Sequence, residues 1–535
     1  MRKFKAILAL VLVAALFVTL FAACANNTEK PNTDAGKDNT NTNTNTNTNT
    51  GSNDKEPAGD DEANEPVDPE EIIDVVFWIP DLNNAGGIDH CDRLEAYVNT
   101  ITEPEGIHVD MTYLSLGEYR QKATMDIAAG EKIDLMCYWV GTNVLSMYNS
   151  KMAQPLDALL AEYAPGTVEL MGDYMQATTF NGEIYSVPVL RNYVTNYYLC
   201  FNQDMLDQWG LTEQAKSMTS WSDFEAVLAA IHENVEPGVY AFVPWGGSAV
   251  TNTAAIIRGD KFSDTEVMDN LGDGTGTAYV SPDGKVSLWQ ADEAYVTSCL
   301  MAKKWMDNGW SWPDALYDTN TSATEIIGRK AGVSEYAPSE EGITAWKTGT
   351  FGAQALCVRT SVGNIKTSTM TSWGMGIPIS AQEPEAAMQL LEMMYTNDKL
   401  MKALVNGVEG EDYVLVDGQA QVQEGGYNMG NYVIGNNLLA YPAFGNGADF
   451  YEKVDAANKA ASLSPFMGFV LITDELQDYI ANITAVTDQY RTGLQAGGFD
   501  EDLYNEFLSK LETAGVNEYL AGLQSQLDAW LAANK

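Results

Sequence analysis

The sequence predicts an α/β fold with a mostly parallel sheet, and two observations near the start of its globular part predict it. Short β-branched apolar runs recur there, and amphipathic stretches of helical length separate them. Such alternation requires crossover connections, which bring successive strands together in parallel. Residues 72–79 (Ile-Ile-Asp-Val-Val-Phe-Trp-Ile) are almost continuously apolar, as expected of a strand covered on both faces. A turn-rich stretch at 81–87 leads into a helix over 89–102. Residues 107–114 read as a second strand, and 118–129 as a helix that Gly130 closes. Residues 133–139 form a third buried strand. Further on, Asn181-Gly182 marks a tight turn between short strands, and Pro282-Asp283-Gly284-Lys285 a second hairpin turn. Asp204 and Asp223 are placed to cap the helices that follow them. Ligands of mostly parallel sheets bind beyond the carboxyl ends of the strands. Trp78 and Trp139 fall at such ends.

The first residues carry a different message. Arg2, Lys3 and Lys5 precede an apolar run over 6–23, which ends in Leu20-Phe21-Ala22-Ala23-Cys24. This resembles the lipobox of bacterial lipoproteins, with Phe21 where Leu is usual. The resemblance implies that 1–23 is a signal peptide and that Cys24 is lipidated and becomes the mature N-terminus. A membrane span needs roughly 20 apolar residues, so length alone does not separate the two readings. The polar tract after Cys24, without a basic flank, favours processing. Simple secretion and an uncleaved anchor are the alternatives. Residues 24–71 contain an Asn-Thr repeat over 39–50, an acidic stretch, and almost no large apolar side chains. Such a segment cannot bury enough surface to offset chain entropy and reads as a disordered tether. A flexible coil of that length reaches on the order of 40 Å.

Composition excludes several classes of function. The chain has 535 residues and a net charge of −44 against only 30 basic residues. Such a surface repels phosphate backbones, so nucleic acid is not an expected partner. Besides Cys24, five cysteines remain: Cys91, Cys137, Cys200, Cys299 and Cys357. Their odd number, wide spacing and lack of a CxxC pair suit neither a disulfide framework nor a zinc site. Cys137, Cys200 and Cys357 lie in apolar runs and read as small buried hydrophobes; one disulfide stays possible. The three histidines are His90, His108 and His232. Asp89-His90-Cys91-Asp92 has metal-like composition, but no second cluster completes it, and a capped helix start explains it. Residues 269–274 partly match a calcium loop, yet Val280 stands where the bidentate Glu belongs, so a turn is expected. No nucleophile elbow, phosphate loop or HExxH occurs. The reading is a non-catalytic protein without metal or cofactor.

Ordered motifs then carry a family resemblance. They run from Lys132-Ile133-Asp134-Leu135 through Tyr138-Trp139 and Ala153-Gln154-Pro155-Leu156 to Asn181-Gly182-Glu183-Ile184-Tyr185-Ser186-Val187-Pro188. The stretches 198–206, Gly210-Leu211, 219–224, 376–379, 384–395 and 406–413 follow in order. Together they resemble family 1 extracellular solute-binding proteins of ABC importers, the maltose-binding-protein type, and within it an LplA-like lipoprotein subgroup. The resemblance covers the chain from residue 72 onward. It implies a two-lobed, type II periplasmic-binding-protein-like α/β fold with a hinge, an interlobe cleft and a helical C-terminal extension. Lobe 1 is expected over 72–190 plus 375–410, and lobe 2 over 191–374 plus 411–535. The crossings are expected near Leu190, Trp373 and Gly410. The implied role is capture of a carbohydrate, most simply an oligosaccharide, by a monomer tethered outside the cytoplasmic membrane, and its delivery to ABC permease subunits. Peptides or other polar metabolites are the alternative ligands, and a secreted polysaccharide-active enzyme the alternative class.

Aromatic and planar polar residues supply the candidate contacts. Sugars offer C–H faces to rings and hydroxyls to amides and guanidinium groups, and Trp and Tyr combine apolar area with a polar handle. The candidates are Trp78, Asn83, Trp139, Arg191, Asn192, Tyr193, Trp245, Tyr336, Trp373 and Tyr441. Trp139 occupies the position of a sugar-contacting aromatic motif in the maltose-binding type. Trp245 sits in Val243-Pro244-Trp245-Gly246-Gly247, where Pro and Gly expose the backbone. Gln354 is a further possible hydrogen-bonding group. Trp209, Trp221, Trp305 and Trp346 follow helical patterns and are expected to pack in cores.

Overall fold

A computed structural model describes residues 72–534 apart from 83–85, 140, 245–254, 268, 319–320, 340–341, 362 and 431. The expected signal peptide, Cys24 and the tether lie outside the described residues, as do Asn83 and Trp245. The strands of the two main sheets are β1 (Ile73–Asp81), β2 (Ile107–Ser115), β3 (Leu135–Tyr138), β4 (Val187–Pro188), β5 (Asn196–Asn202), β6 (Tyr240–Val243), β7 (Gly332–Ser339), β8 (Ala355–Arg359) and β9 (Gly374–Gly376).

The first sheet has the order β2-β1-β3-β9-β4. β1 is parallel to both β2 and β3, whereas β9 runs antiparallel to β3 and β4. The helix Gly87–Thr102 crosses from β1 to β2, and Leu116–Ala129 from β2 to β3. β3 is apolar throughout because both of its faces are covered. Leu135 and Cys137 join the core beneath the helices Gly87–Thr102 and Pro384–Thr396, while Met136 and Tyr138 join Tyr119, Ala123 and Ile127 of the other layer. Gly376 is required where β9 passes Tyr138: a Cβ there would lie 2.1 Å from the ring. The expected turn at Asn181-Gly182 has φ of 52° and 86°, the left-handed pair that a two-residue hairpin loop needs.

Three carboxylates fasten this first unit, which is assembled from distant chain segments. Buried Asp134 accepts the Val76 N–H at 2.9 Å with one oxygen and the N–H groups of Gln382 and Glu383 at 2.8 and 2.9 Å with the other. It thereby ties β1 to the start of the helix Pro384–Thr396. Glu392, on that helix, accepts the N–H groups of Gly166 and Thr167 at the start of the helix Pro165–Met171. Asp412 takes both arms of Arg93 at 2.8 and 2.6 Å, and the N–H groups of Val408 and Tyr427.

The second sheet has the order β8-β5-β7-β6. β5 lies antiparallel to both neighbours, and only β6 and β7 are parallel, so the mostly parallel character applies to the first sheet alone. Its core is aromatic: Phe201, Trp221, Phe224, Phe242 and Trp305 meet edge to face with centroids 5.0–6.3 Å apart. On its other side the Lys347 ammonium and the Glu335 carboxylate form a fully buried pair at 2.5 Å, with Thr324 bonded to both. A third core gathers the C-terminal helices Gln477–Gln495, Glu501–Thr513 and Val516–Ala533 around Trp289, Tyr295 and Phe466.

The chain passes between the sheets three times. The first passage, 189–195, leads from β4 to β5, and the second, 360–373, from β8 to β9. The third had been expected near Gly410. Gly410 instead sits beside the Arg93–Asp412 clasp, and Tyr427, Met429, Val433, Ile434, Tyr451 and Val454 belong to the first-sheet core. The return therefore comes after the helix Phe450–Ala460, where Leu463 bridges Ile365 of the second passage. The first passage is braced by the first-sheet unit: Asn437 reaches the Leu190 carbonyl, and the Asn458 amide joins the Arg191 carbonyl to the Tyr193 N–H.

Candidate functional site

Three neighbouring cavities follow the third passage. The largest, about 1020 Å³, has one wall from the first-sheet unit and the other from residues 463–534. Tyr148, Phe180 and the tip of the 179–184 hairpin contribute to the first wall; Met467, Phe469 and Trp530 to the second. Local packing fixes these rings. Tyr148 lies 4.9 Å from Phe180 and 4.8 Å from Tyr185, and its hydroxyl accepts from the Asn181 amide at 2.6 Å. Trp530 stands edge-on to Phe469, with centroids 6.0 Å apart. The amides of Asn149, Gln176, Asn181, Gln526 and Asn534 line the same space. Gln526 also holds the Ile472 backbone through both its N–H and its carbonyl.

A second cavity, about 580 Å³, opens between the 255–267 hairpin, the second passage and residues 464–466. Ser464 and Pro465 line both cavities, which therefore meet along the third passage. Phe262, Tyr279 and Phe466 provide rings here; Arg359, Asp269 and Asn364 provide polar groups. The Asn364 side-chain oxygen is buried without a hydrogen-bond partner, an acceptor available to a hydroxyl donor. A third pocket of about 110 Å³ continues from Phe466 to Leu145 and Phe469. The line of pockets pairs ring faces with amides and matches what a polyhydroxylated ligand can use. Among the described residues, no three His, Cys, Asp or Glu side chains gather in a geometry that could hold a metal. The Asp273 carboxylate of the calcium-like loop is taken up by Thr275, Thr277, Ala278 and Tyr519.

The sequence candidates fall elsewhere. None of those described lines the three cavities. Trp139 and Trp373 are brought together, stacked at 5.0 Å with 21° between their planes, because β9 returns antiparallel beside β3. Arg120 covers the Trp139 ring at 4.8 Å, and Tyr432 meets Trp373 edge-on at 5.7 Å. Both tryptophans are nearly buried by this mutual cover. Trp78 is not at a strand end: β1 continues three residues beyond it, and its ring turns into the sheet core against Tyr119. Tyr336 is buried between Tyr197 and Trp221, its hydroxyl bonded to Thr360. Tyr193 is buried against Tyr174, and burial pushes its phenol well above the ordinary value. Asn192 is buried and caps the Val194 N–H, while Arg191 bonds Ser372 at 3.0 Å and so links the first two passages. Tyr441 packs beneath the Lys402 ammonium at 4.7 Å, beside Tyr413. Gln354 is exposed and its carbonyl caps Gln203. Trp221 and Trp305 are core residues as expected, but Trp346 is 52 % exposed.

Tyr148, Phe180, Phe469 and Trp530, which line the largest of these cavities, are not among the sequence candidates. They come from separate segments, and no local pattern joins them. The usable signals were Asn181-Gly182 beside Phe180, and Gly468 between Met467 and Phe469.

Comparison with known proteins adds independent information. The family described as bacterial extracellular solute-binding protein matches residues 92–401, and a domain of unknown function matches 465–532. A protein of Streptococcus pneumoniae serotype 4, called carbohydrate ABC transporter substrate-binding protein, is 25% identical over 464 residues, covering 84% of this chain and 89% of that protein. The crystal structure of the N-glycan transport solute-binding protein NgtS from Streptococcus pneumoniae superposes with a TM-score of 0.71 at 22% identity, covering 86% of this chain and all of that one. The same protein in complex with Man5GlcNAc gives a TM-score of 0.58 at 21% identity, with 86% and 99% coverage.

Proposed function

The chain belongs to the bacterial extracellular solute-binding protein family and has its two-lobed α/β fold, and from that premise we propose that it is a receptor that captures an oligosaccharide for an ABC transporter. The observation that carries this reading is the cavity of about 1020 Å³, with rings and side-chain amides on both walls and one wall from each side of the third passage. Ligand pockets typically run to about 300–1,000 Å³, so this one has room for several sugar units. The name of the pneumococcal relative supports the same ligand class.

Capture proceeds by closure. A sugar chain docks on the rings of one wall, and rotation about the three braced passages brings the other wall onto it. Ligand shifts the open–closed balance only by its differential affinity for the two states. Tyr148 and Trp530 stack on sugar faces, while Asn149, Gln176, Asn181 and Gln526 meet hydroxyls. Lobe 1 comprises 72–190 with 375–460, and lobe 2 comprises 191–374 with 461–534, a division that the cores support. The receptor acts as a monomer outside the membrane, held by lipid on Cys24 and the tether, and hands its cargo to permease subunits. It performs no chemistry on that cargo.

Calorimetric titration with oligosaccharides, monosaccharides and peptides, followed by chromatography of the recovered ligand, tests the proposal. Saturable binding of one oligosaccharide series, recovered unchanged, is expected. Binding of peptides only, or release of shortened sugars, contradicts it.

A further inference from the structure

The register of the second sheet sets Cys200 of β5 directly opposite Cys357 of β8. The pattern of the ladder shows which kind of pair this is. The Gln203 N–H bonds the Gln354 carbonyl at 2.7 Å, and the Thr360 N–H bonds the Tyr197 carbonyl at 2.8 Å. Hydrogen-bonded pairs therefore fall at 203/354, 201/356, 199/358 and 197/360, and 200/357 is one of the non-hydrogen-bonded pairs between them. In such pairs the Cα atoms stand about 4.5 Å apart and the side chains lie closest. That separation falls within the ~4.4–6.8 Å window that a disulfide spans. Both side chains lie on the same face, in the core with Val243, Ile327 and Phe351. They are free thiols here.

We propose that Cys200 and Cys357 form a reversible disulfide that staples β5 to β8. The chemistry needs an external disulfide as oxidant, a class present outside the cytoplasm. Half-buried Cys357 is the entry point and fully buried Cys200 the resolving group. Cys200 beside it, reinforced by Thr344 and the nearby Lys347 ammonium, holds the Cys357 thiol below its ordinary value, whereas burial raises Cys200. The Cys357 thiolate attacks one sulfur of the oxidant, forming a mixed disulfide and releasing one thiolate. Cys200 then attacks the Cys357 sulfur. The second thiol of the oxidant leaves, and the proton from Cys200 passes to a released thiolate. The protein loses two electrons and two protons, and the oxidant becomes two thiols. The staple ties together the two strands that carry the first and second passages into lobe 2, since β5 begins where the first ends and β8 ends where the second begins.

The test uses the mature full-length chain, reduced and then incubated with oxidised glutathione. Remaining thiols are alkylated under denaturing conditions and peptides are mapped without reductant. Two alkylatable thiols should be lost, and one linked pair containing Cys200 and Cys357 should appear and vanish with dithiothreitol. In Cys357→Ser, Cys200 should stay alkylatable. Cys200 and Cys357 both remaining alkylatable, a glutathione adduct that never resolves, or linkage of either cysteine to Cys91, Cys137 or Cys299 would overturn the proposal. Should Cys357→Ser fail to fold, the map of the unmodified sequence decides alone.

Discussion

The two lobes are held together by different means. In the first, carboxylates act as polar clasps between segments far apart in sequence: Asp134 reaches residues 76 and 382–383, Glu392 reaches 166–167, and Asp412 reaches Arg93. In the second, the sheet core is drawn from one stretch, residues 197–358, which packs around interlocking rings with one buried ion pair at its back. The difference follows from assembly. A lobe built from non-contiguous segments must specify how they meet, and directional hydrogen bonds to buried carboxylates do this. A sheet core closed within one stretch of chain can rely on non-directional burial of aromatic area. Rings of the second sheet are consequently spent on its core, Tyr336 among them.

Four substitutions sharpen this comparison, and the largest effect is expected at the buried pair. Lys347→Met leaves the Glu335 charge uncompensated and should destabilise by about 3–5 kcal/mol in chemical denaturation. Replacing both partners by apolar residues should recover most of that loss; an equal loss in the double variant would break the argument. Next comes Asp134→Ala, which orphans three backbone N–H groups and should cost about 3 kcal/mol. A loss below about 1 kcal/mol would show that its clasp is not needed to join β1 to the helix Pro384–Thr396.

Asp412→Asn follows, at about 2 kcal/mol near neutral pH. Burial alone would raise this carboxyl, but Arg93 and the N–H groups of Val408 and Tyr427 outweigh it, and the group lies below its ordinary value. A depressed folded-state value stabilises above the unfolded value, near pH ~3.9, and that stabilisation fades as pH falls through the folded value. The gap between the parent chain and Asp412→Asn should therefore close only below about pH 4. A gap unchanged down to pH 2 would assign the effect to shape rather than charge. The smallest effect concerns ligand. Trp530→Ala should lower oligosaccharide affinity about tenfold, roughly the 1.4 kcal/mol of a good ring contact, with little change in unliganded stability.

Much of the fold was legible. The runs at 72–79, 107–114 and 133–139 lie within one or two residues of β1, β2 and β3: β3 is apolar throughout, and β2 alternates buried Ile107, Val109, Met111 and Tyr113 with the less buried His108, Asp110 and Thr112, the period of a strand. The Asn181-Gly182 turn was legible for the same local reason. The third passage was not: residues 411–460 contain no break in pattern, and only the Arg93–Asp412 clasp and the packing of Tyr427 and Ile434 assign them to lobe 1. The site was least legible. Aromatic type marks a large buried area, and a core satisfies that as well as a sugar does, so Trp78 and Tyr193 could not be told from Tyr148 and Trp530 without the cavity. Trp139 and Trp373 lie between these cases: the antiparallel return of β9 beside β3 brings them together, and they cover one another.

In the proposed receptor the ligand is held in the cavity between Tyr148 and Trp530. Calorimetric titration of one oligosaccharide series into the unmodified chain, Trp530→Ala and Tyr336→Phe tests this most directly. Binding weakened about tenfold by Trp530→Ala and unchanged by Tyr336→Phe is the predicted result. Full affinity in Trp530→Ala would place the ligand elsewhere and contradict the account.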